Sequence, residues 1–392
     1  LYKNEGKNVV PLGSTGISAV NIGGYTLHSF FVFAIASNLE ELRVQDRKNR
    51  SRLSELKKVL KNLDLIVIDE ISMVSADLID MIYYRLESLD YSGRVLVVGD
   101  FYQLPPIVKS ERNNALFGQS FYAFESSAWS KFNFKPLILE EIKRTNDLEF
   151  ANILSYIRKG ESSLETREYL KRLLRHTVAF ESEPTYLFGR NREVEEMNKA
   201  KLARIESDEA LYFWEIEKIR TVNEKRLNSW AKALPVVEDL HLKVGAPVIF
   251  TVNKWGKFVN GQRGTVVELD IDHIIVSTDG RDITLYRHDF ELTELNSETL
   301  ESEAIATLKQ FPIKLAFAIT IHKSQGMSIE SMVCNVDSLF VPGQFYVAIS
   351  RAIDPGCLKI EYSRNNFDEY IDRVIVKNSE VDDFYKGMKS EY

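Results

Sequence analysis

Two short runs constrain this chain more than anything else in it: "LDLIVIDE" at residues 63–70 and "RVLVVGD" at 94–100. Each is almost continuous Leu, Ile and Val, without the polar alternation of a sheet that has one wet face. Both therefore read as strands of a parallel sheet, covered by helices on either side. Between them, "SADLIDMIYYRLESL" sets Leu78, Ile79, Ile82, Leu86 and Leu89 on one helical stripe, with Ser75 placed to cap its start. Strand, helix, strand is the repeating unit of an α/β sheet, and "NVVPL" supplies a further strand upstream.

The chain has 392 residues, room for two or three domains of roughly 100–200 residues each. A second α/β unit is expected from about Leu137. There "LEFANILSYIRKG" reads as a helix stopped at Gly160, and "PTYLFGRNREVEEMNKAKLARI" as a strand followed by an amphipathic helix. From Leu242 to about Leu295 the pattern changes to the short β segments "APVIFTV", "RGTVVEL", "HIIVST" and "DITLYR", with Asp279-Gly280 as a tight hairpin signal. These suggest a small inserted barrel. After it "IKLAFAIT", "SMVCNV" and "CLKIEY" return to buried parallel-strand character.

No apolar run approaches the roughly 20 residues of a membrane span, and no signal-peptide pattern opens the chain, so no membrane partner is expected. Cys334, Cys357 and the six histidines lack metal-ligand spacing, and both thiols read as small buried residues. A net charge of −7 argues against indiscriminate coating of nucleic acid while leaving room for a locally basic cleft.

Ligands of open α/β sheets sit beyond the carboxyl ends of the strands. The first run ends on Asp69 and Glu70. One carboxylate there can hold a water of a Mg²⁺ ion, and its neighbour can orient and deprotonate an attacking water. The second ends in "GDFYQLPP", where the diproline forbids helix and Gln103 could sense a γ-phosphate. A lone Asp-Glu pair would more often be a solvated loop; the second motif on the neighbouring strand reverses that. Upstream, "VVPLGSTGISAVNIGG" has the glycines of a phosphate loop without its lysine.

"DEISM", "GDFYQLPP", "TIHKSQGMS" and "YVAISRA" occur in the order and at the distances seen in RecD/Pif-type helicases of superfamily 1B, and "STGISAVNIGGYTLHSFF" resembles their motif Ia and the segment after it. The resemblance runs from residue 9 to residue 362. It implies an α/β fold of two RecA-like parallel-sheet domains with a small SH3-like β-barrel inserted in the second. Residues 1–135 would form domain 1A, with 38–62 as a possible wedge element 1B; residues 136–241 and 304–392 would form 2A, and 242–303 would form 2B. It further implies ATP hydrolysis between the two RecA-like domains, driving 5′-to-3′ movement on single-stranded DNA and unwinding of duplex. Asp69 would serve Mg²⁺ through water, Glu70 would be the catalytic base and Gln103 the γ-phosphate sensor. Arg144 in "EEIKRTND" and Arg351 in "YVAISRA" would reach the transferred phosphoryl, and Gly326 would join the nucleotide site. Arg144 precedes Thr where the family more often has Gln, and a surface ion pair stays open for it.

On the DNA side the resemblance points to Thr15, Gly16, His28, Ser29 and Phe30 in the first domain, and to Thr320, His322, Ser324 and Gln325 in the second. Small hydroxyls and backbone amides suit phosphate oxygens, while His28 or Phe30 could face a base; Phe31 reads as core. The basic run "RVQDRKNRSRLSELKK" is either a solvated helix face or the wedge against a duplex fork. In "VNGQRG", Asn260 and Gly261 read as a turn.

The Walker A loop of the family, G-x-x-x-x-G-K-[ST], does not occur in these residues. "VVPLGSTGISAVNIGG" is then the next strand and its DNA-facing loop, and the phosphate loop is expected to precede Leu1. On that expectation these residues alone bind single-stranded DNA weakly and hydrolyse ATP poorly or not at all. Expected partners are single-stranded DNA, a duplex fork, and replication or repair proteins, with the protein a monomer. A bacterial cytoplasm is expected, with nucleus or organelle left open. The rival reading is an ATPase-deficient nucleic-acid-binding remnant or subunit of a larger complex. A nucleotide-dependent protein remodeller would share the hydrolytic residues but leave "TLHSFF" and "TIHKSQG" unexplained.

Overall fold

Leu65–Asp69 is an inner strand of a four-stranded parallel sheet whose order is Tyr25–Thr26, Val9–Gly13, Leu65–Asp69, Arg94–Val97. The computed structural model describes residues 5–15, 18–19, 22–33, 36–106, 122–139, 142–178, 180, 183–254, 257–258, 260–295, 302–376 and 378–390. Val9–Gly13 and Leu65–Asp69 pair in register from Val9 opposite Leu65 to Gly13 opposite Asp69. The loop at Ser14 and Thr15 therefore leaves the sheet at the same edge as Asp69 and Glu70.

The helical stripe is realised as Ala76–Ser88, where Ser75 Oγ accepts from the Leu78 amide at 3.3 Å. Leu78, Ile79, Ile82 and Leu86 are buried. On the same helix the fully buried Arg85 grips both Asp46 oxygens at 2.8 Å and donates Nε to the Phe31 carbonyl at 3.0 Å. That pair ties the helix to its neighbour Leu39–Asp46. The basic run spans the end of that neighbour and the start of a second helix, Arg50–Lys61. Arg94–Val97 departs from the expectation of a strand covered on both faces. It is the edge of the sheet, and Leu96 and Val98 are 48% and 46% exposed, because no described residue covers that side.

The second parallel sheet has the order Ala318–Thr320, Thr185–Phe188, Met332–Asn335, Leu358–Glu361. The helix Leu148–Arg158 packs its buried Phe150, Ile153, Leu154 and Ile157 into this unit; Asp147 caps its start, accepting from Phe150 N at 2.7 Å, and Gly160 with φ +72° follows its end. Cys334 is buried in this core, its thiol pushed up to about 12 by burial; Cys357 is only half-buried.

Antiparallel sheets fill the chain between the two halves of this unit, and they reach further than Leu242 to Leu295. Glu209–Phe213 pairs with Asp239–Lys243, and Glu215–Lys218 joins Ser302–Gln310 and His288–Leu295. The four expected segments form a five-stranded sheet whose fifth strand, Ile313–Leu315, lies antiparallel to Pro247–Phe250. "IKLAFAIT" is thus two strands: its first half closes the inserted sheet and only Ala318–Thr320 belongs to the parallel one. Alanine and glycine-free apolar runs do not reveal such a break. Asp279 and Gly280 both have positive φ, 50° and 70°, and connect Ile274–Thr278 to Arg281–Leu285 as the hairpin signal requires.

The helix Ser379–Ser390 crosses back to the first sheet. Val381 is fully buried in the first core, and the Phe384 ring stacks on Phe124 at 4.3 Å and meets Phe101 edge-on at 5.3 Å.

Candidate functional site

Glu70 follows strand Leu65–Asp69 in a left-handed conformation, φ 54° and ψ 51°, which a non-glycine residue adopts only under local constraint. The constraint is visible: Ile71 N donates to the Val98 carbonyl at 3.0 Å, and a Cβ on Gly99 would come within 2.9 Å of Ile71 N. The two strand ends are thereby pressed together. Burial, then the neighbouring Asp69 and finally Asp100, push the Glu70 carboxyl above its usual range, against an opposing pull from Gln325 and Arg351.

Arg351 comes from the second unit, only 2% exposed. Its Nε donates to Val347 O at 2.9 Å, Nη2 to Ser350 Oγ at 3.0 Å and Nη1 to Met327 O at 3.4 Å. Arg144 Nη1 donates to Ser350 O at 2.9 Å and its Nε to Ser328 Oγ at 3.3 Å. Burial and the charge of Arg144 lower the Arg351 pKa to about 10, while Tyr346 and Glu70 oppose that; burial lowers Arg144 too. Two guanidinium groups thus repel each other while facing one carboxylate. That carboxylate is itself repelled by two aspartates. The arrangement has unmet need for an anion on one side and for a cation on the other.

Gln103 lies where the two units touch. Phe101 is buried in the first core and Leu104 in the second, with Gln103 half-buried between them. Gly343, φ +75°, closes on it so tightly that a Cβ would sit 2.6 Å from the Gln103 carbonyl. Asp100 is clamped from the second unit by Arg158, Nε at 2.8 Å and Nη2 at 2.7 Å, beneath the rings of Tyr102 and Tyr385. Burial disfavours the Arg158 cation, but its bonds to Asp100 outweigh that and raise its pKa. Sequence reading missed this clamp, as it missed Tyr385. Val381, Phe384 and Tyr385 at i, i+3 and i+4 were the available signal for a docking helix.

The expected DNA-contact residues divide. Thr15 and Ser18 bond each other, Thr15 N to Ser18 Oγ at 2.9 Å and Ser18 N to Thr15 Oγ1 at 3.1 Å. Gly16 lies outside the described residues. His28 is exposed, its ring edge-on to Phe33 at 6.0 Å. Ser29 Oγ donates to Thr26 O at 3.0 Å and, with Phe30, borders a cleft shared with Arg52, Arg226 and Glu294. Phe30 itself is 7% exposed and edge-on to Phe31 at 5.0 Å, so most of its ring belongs to the core.

In the second unit Thr320 is buried, Oγ1 accepting from Lys323 N at 3.3 Å. His322 is half-buried with its ring beside Phe340. Ser324 is wholly buried, its hydroxyl given to Ile321 O at 2.8 Å. Gln325 turns away from the surface and donates Nε2 to Glu70 Oε2 at 3.0 Å, while its Oε1 is buried without a partner. Gly326, φ +76°, makes the turn beyond it.

The model of the PIF1-like helicase family matches residues 1–168. The ATP-dependent DNA helicase Pif1 of Campylobacter jejuni is 41% identical over 98% of this chain and 89% of that protein. The protein of the same name from Bdellovibrio bacteriovorus is 35% identical over 88% of this chain and 76% of its own length. Among solved structures, Bacteroides sp Pif1 in complex with ADP-AlF4 superposes with a TM-score of 0.83 at 30% identity, covering 100% of this chain and 89% of that one. Bacteroides Pif1 bound to ssDNA gives 0.69 at the same identity, covering 99% and 89%. The two parallel sheets match the two RecA-like domains of these structures. With identity above two-fifths along nearly its whole length and the same two-sheet architecture, the chain belongs to the PIF1-like helicase family.

Proposed function

We propose that the protein is a helicase that uses ATP to move 5′ to 3′ on single-stranded DNA and to unwind duplex. The observation that carries this is the charge arrangement at the junction of the two sheets: Arg144 and Arg351 are buried together opposite Glu70, whose carboxylate is disfavoured by burial and by the neighbouring Asp69. A nucleotide triphosphate with its divalent ion would supply an anion to the one side and a cation to the other. The donors fit Mg²⁺, since Asp69 and Glu70 offer only hard oxygens; when bound, the ion would neutralise phosphate charge, with Asp69 holding it through water. The buried, partnerless Oε1 of Gln325 fits a water or another donor beside Glu70.

Each residue's part follows from its surroundings. Glu70, with proton affinity raised by burial, suits a general base for an attacking water. Gln325 occupies one lone pair of its Oε2, which leaves Oε1 of Glu70 open to an attacking water. Arg144 and Arg351 stabilise charge on the transferred phosphoryl only when the units are closed, which couples hydrolysis to their relative movement. Gln103, seated between the two cores, reports the nucleotide to both. A module that only bound nucleic acid would have no use for a strained, desolvated Glu70.

Strand displacement by the full-length protein on 5′- and 3′-tailed duplexes tests the reading: ATP-dependent unwinding is expected from the 5′ tail alone, and unwinding only from the 3′ tail overturns the polarity. Glu70→Gln is expected to keep single-strand affinity and lower ATP turnover about 10²–10⁴-fold. Turnover at the unsubstituted rate would remove Glu70 from the mechanism.

A further inference from the structure

Arg190, His322 and Phe340 come together at one edge of the second sheet although they are far apart in sequence. Ala318–Thr320, Thr185–Phe188 and Met332–Asn335 lie side by side and parallel. His322, Arg190 and Phe340 occupy the segments that leave their carboxyl ends, where open α/β sheets hold ligands. The Phe340 ring is 56% exposed. The His322 ring lies 6.2 Å away with planes 27° apart, and the Arg190 guanidinium stands 5.7 Å from the Phe340 centroid.

The exposed ring sits on a braced loop. Phe340 N donates to Gln344 Oε1 at 2.9 Å, and Gln344, fully buried, reaches Gly189 O with Nε2 at 3.5 Å. Gly189 allows the loops to meet, since a Cβ there would lie 2.7 Å from the Ser338 carbonyl. Ser338 Oγ is fixed in turn by Glu193 at 2.8 Å. An exposed aromatic on a hydrogen-bonded loop, with a guanidinium over its ring, has the composition of a surface built to stack a planar group. Burial lowers the His322 pKa, so its ring adds a neutral π-face near pH 7, while Arg190 supplies charge for the adjoining phosphate or stacks by its own plane.

We propose that Phe340, flanked by Arg190 and His322, is a stacking platform for an unpaired base of single-stranded nucleic acid, extending the track beyond "TIHKSQG". The proposal rests on the single-strand-binding reading above and adds a residue to it. Every base has a π-face, so the contact discriminates stacked from missing bases, not one sequence from another.

The test compares oligothymidine with an abasic oligomer of equal length at fixed salt, using the unsubstituted protein, Phe340→Ala and Phe340→Tyr. Phe340→Ala is expected to weaken oligothymidine binding about tenfold, to leave abasic binding and the salt slope unchanged, and to melt at the unsubstituted temperature. Phe340→Tyr should restore the affinity. Equal loss on both oligomers would mean that the loop, not stacking, was disturbed, and would overturn the platform. Unaltered oligothymidine affinity in Phe340→Ala overturns the platform and leaves the helicase reading standing. No single-strand binding by the unsubstituted protein overturns both.

Discussion

Asp100 and Glu70 leave adjacent strands of the first sheet, and both are met by side chains from the second unit, yet they are matched to opposite degrees. Asp100 receives both arms of Arg158 at 2.7 and 2.8 Å, the Tyr102 amide at 3.2 Å and the Tyr385 hydroxyl at 3.4 Å. Glu70 receives one amide hydrogen, from Gln325, while Arg144 and Arg351 stay bonded to carbonyls and hydroxyls of their own unit. Tyr346 stands between the two clusters and feels charge from both. The contrast separates two jobs. A carboxylate that takes four donors, two of them from one guanidinium, is a fastener, whereas one left short in a desolvated, strained position keeps its reactivity. Binding energy spent on satisfying Glu70 would be lost to the chemistry.

The sharpest way to break the distinction is to remove the guanidinium that faces Glu70. Arg351→Ala is expected to lower DNA-stimulated ATP turnover by about 10³–10⁵-fold, and Arg351→Lys to recover only a small part, because a point charge cannot hold the same fork of hydrogen bonds. Turnover within a few-fold of the unsubstituted rate would show that this cluster is a second fastener. Arg158→Ala probes the other side. Its side chain is 30% exposed and that of Asp100 17%, so the loss is that of a half-buried pair, about 1–3 kcal/mol in denaturant unfolding. A large loss of turnover with unchanged stability would reverse the roles assigned to the two carboxylates.

That contrast also marks what the sequence made legible. Asp69, Glu70, Gln103 and Arg351 stand in motifs long enough to be read, and the parallel strands that carry them announce themselves by unbroken Leu, Ile and Val. Pairing across the units does not. Arg158 reads as the end of a helix, and nothing in "YIRKG" says that Asp100 will meet it. Gln325 lies in a segment whose resemblance points to DNA, and nothing in that segment says that its Nε2 will meet Glu70 across the units. Ser324 carries the same lesson, its hydroxyl consumed within the 3₁₀ turn at His322–Ser324. Local pattern predicts elements; which side chain completes a site depends on how two units dock, and docking leaves only faint traces such as the Val381, Phe384, Tyr385 spacing.

The smallest effect discriminates by sign. Because burial and Asp69 raise the folded-state pKa of Glu70 above its ordinary 4.5, the folded protein binds more protons than the unfolded chain between those two values. Stability then falls as pH rises through that window, and the full cost of holding the carboxylate ionised is present above it. Glu70→Gln abolishes the titration, so at pH 7–8 it should melt above the unsubstituted protein. The difference should vanish well below the ordinary value of 4.5, where Glu70 is protonated in both states. Asp100→Asn should move the other way at neutral pH, since it strips Arg158 of its charged partner. Thermal melts of the two variants across this range decide the matter: if both melt lower at pH 7, Glu70 is as well satisfied as Asp100, and the division between a fastened and a reactive carboxylate fails.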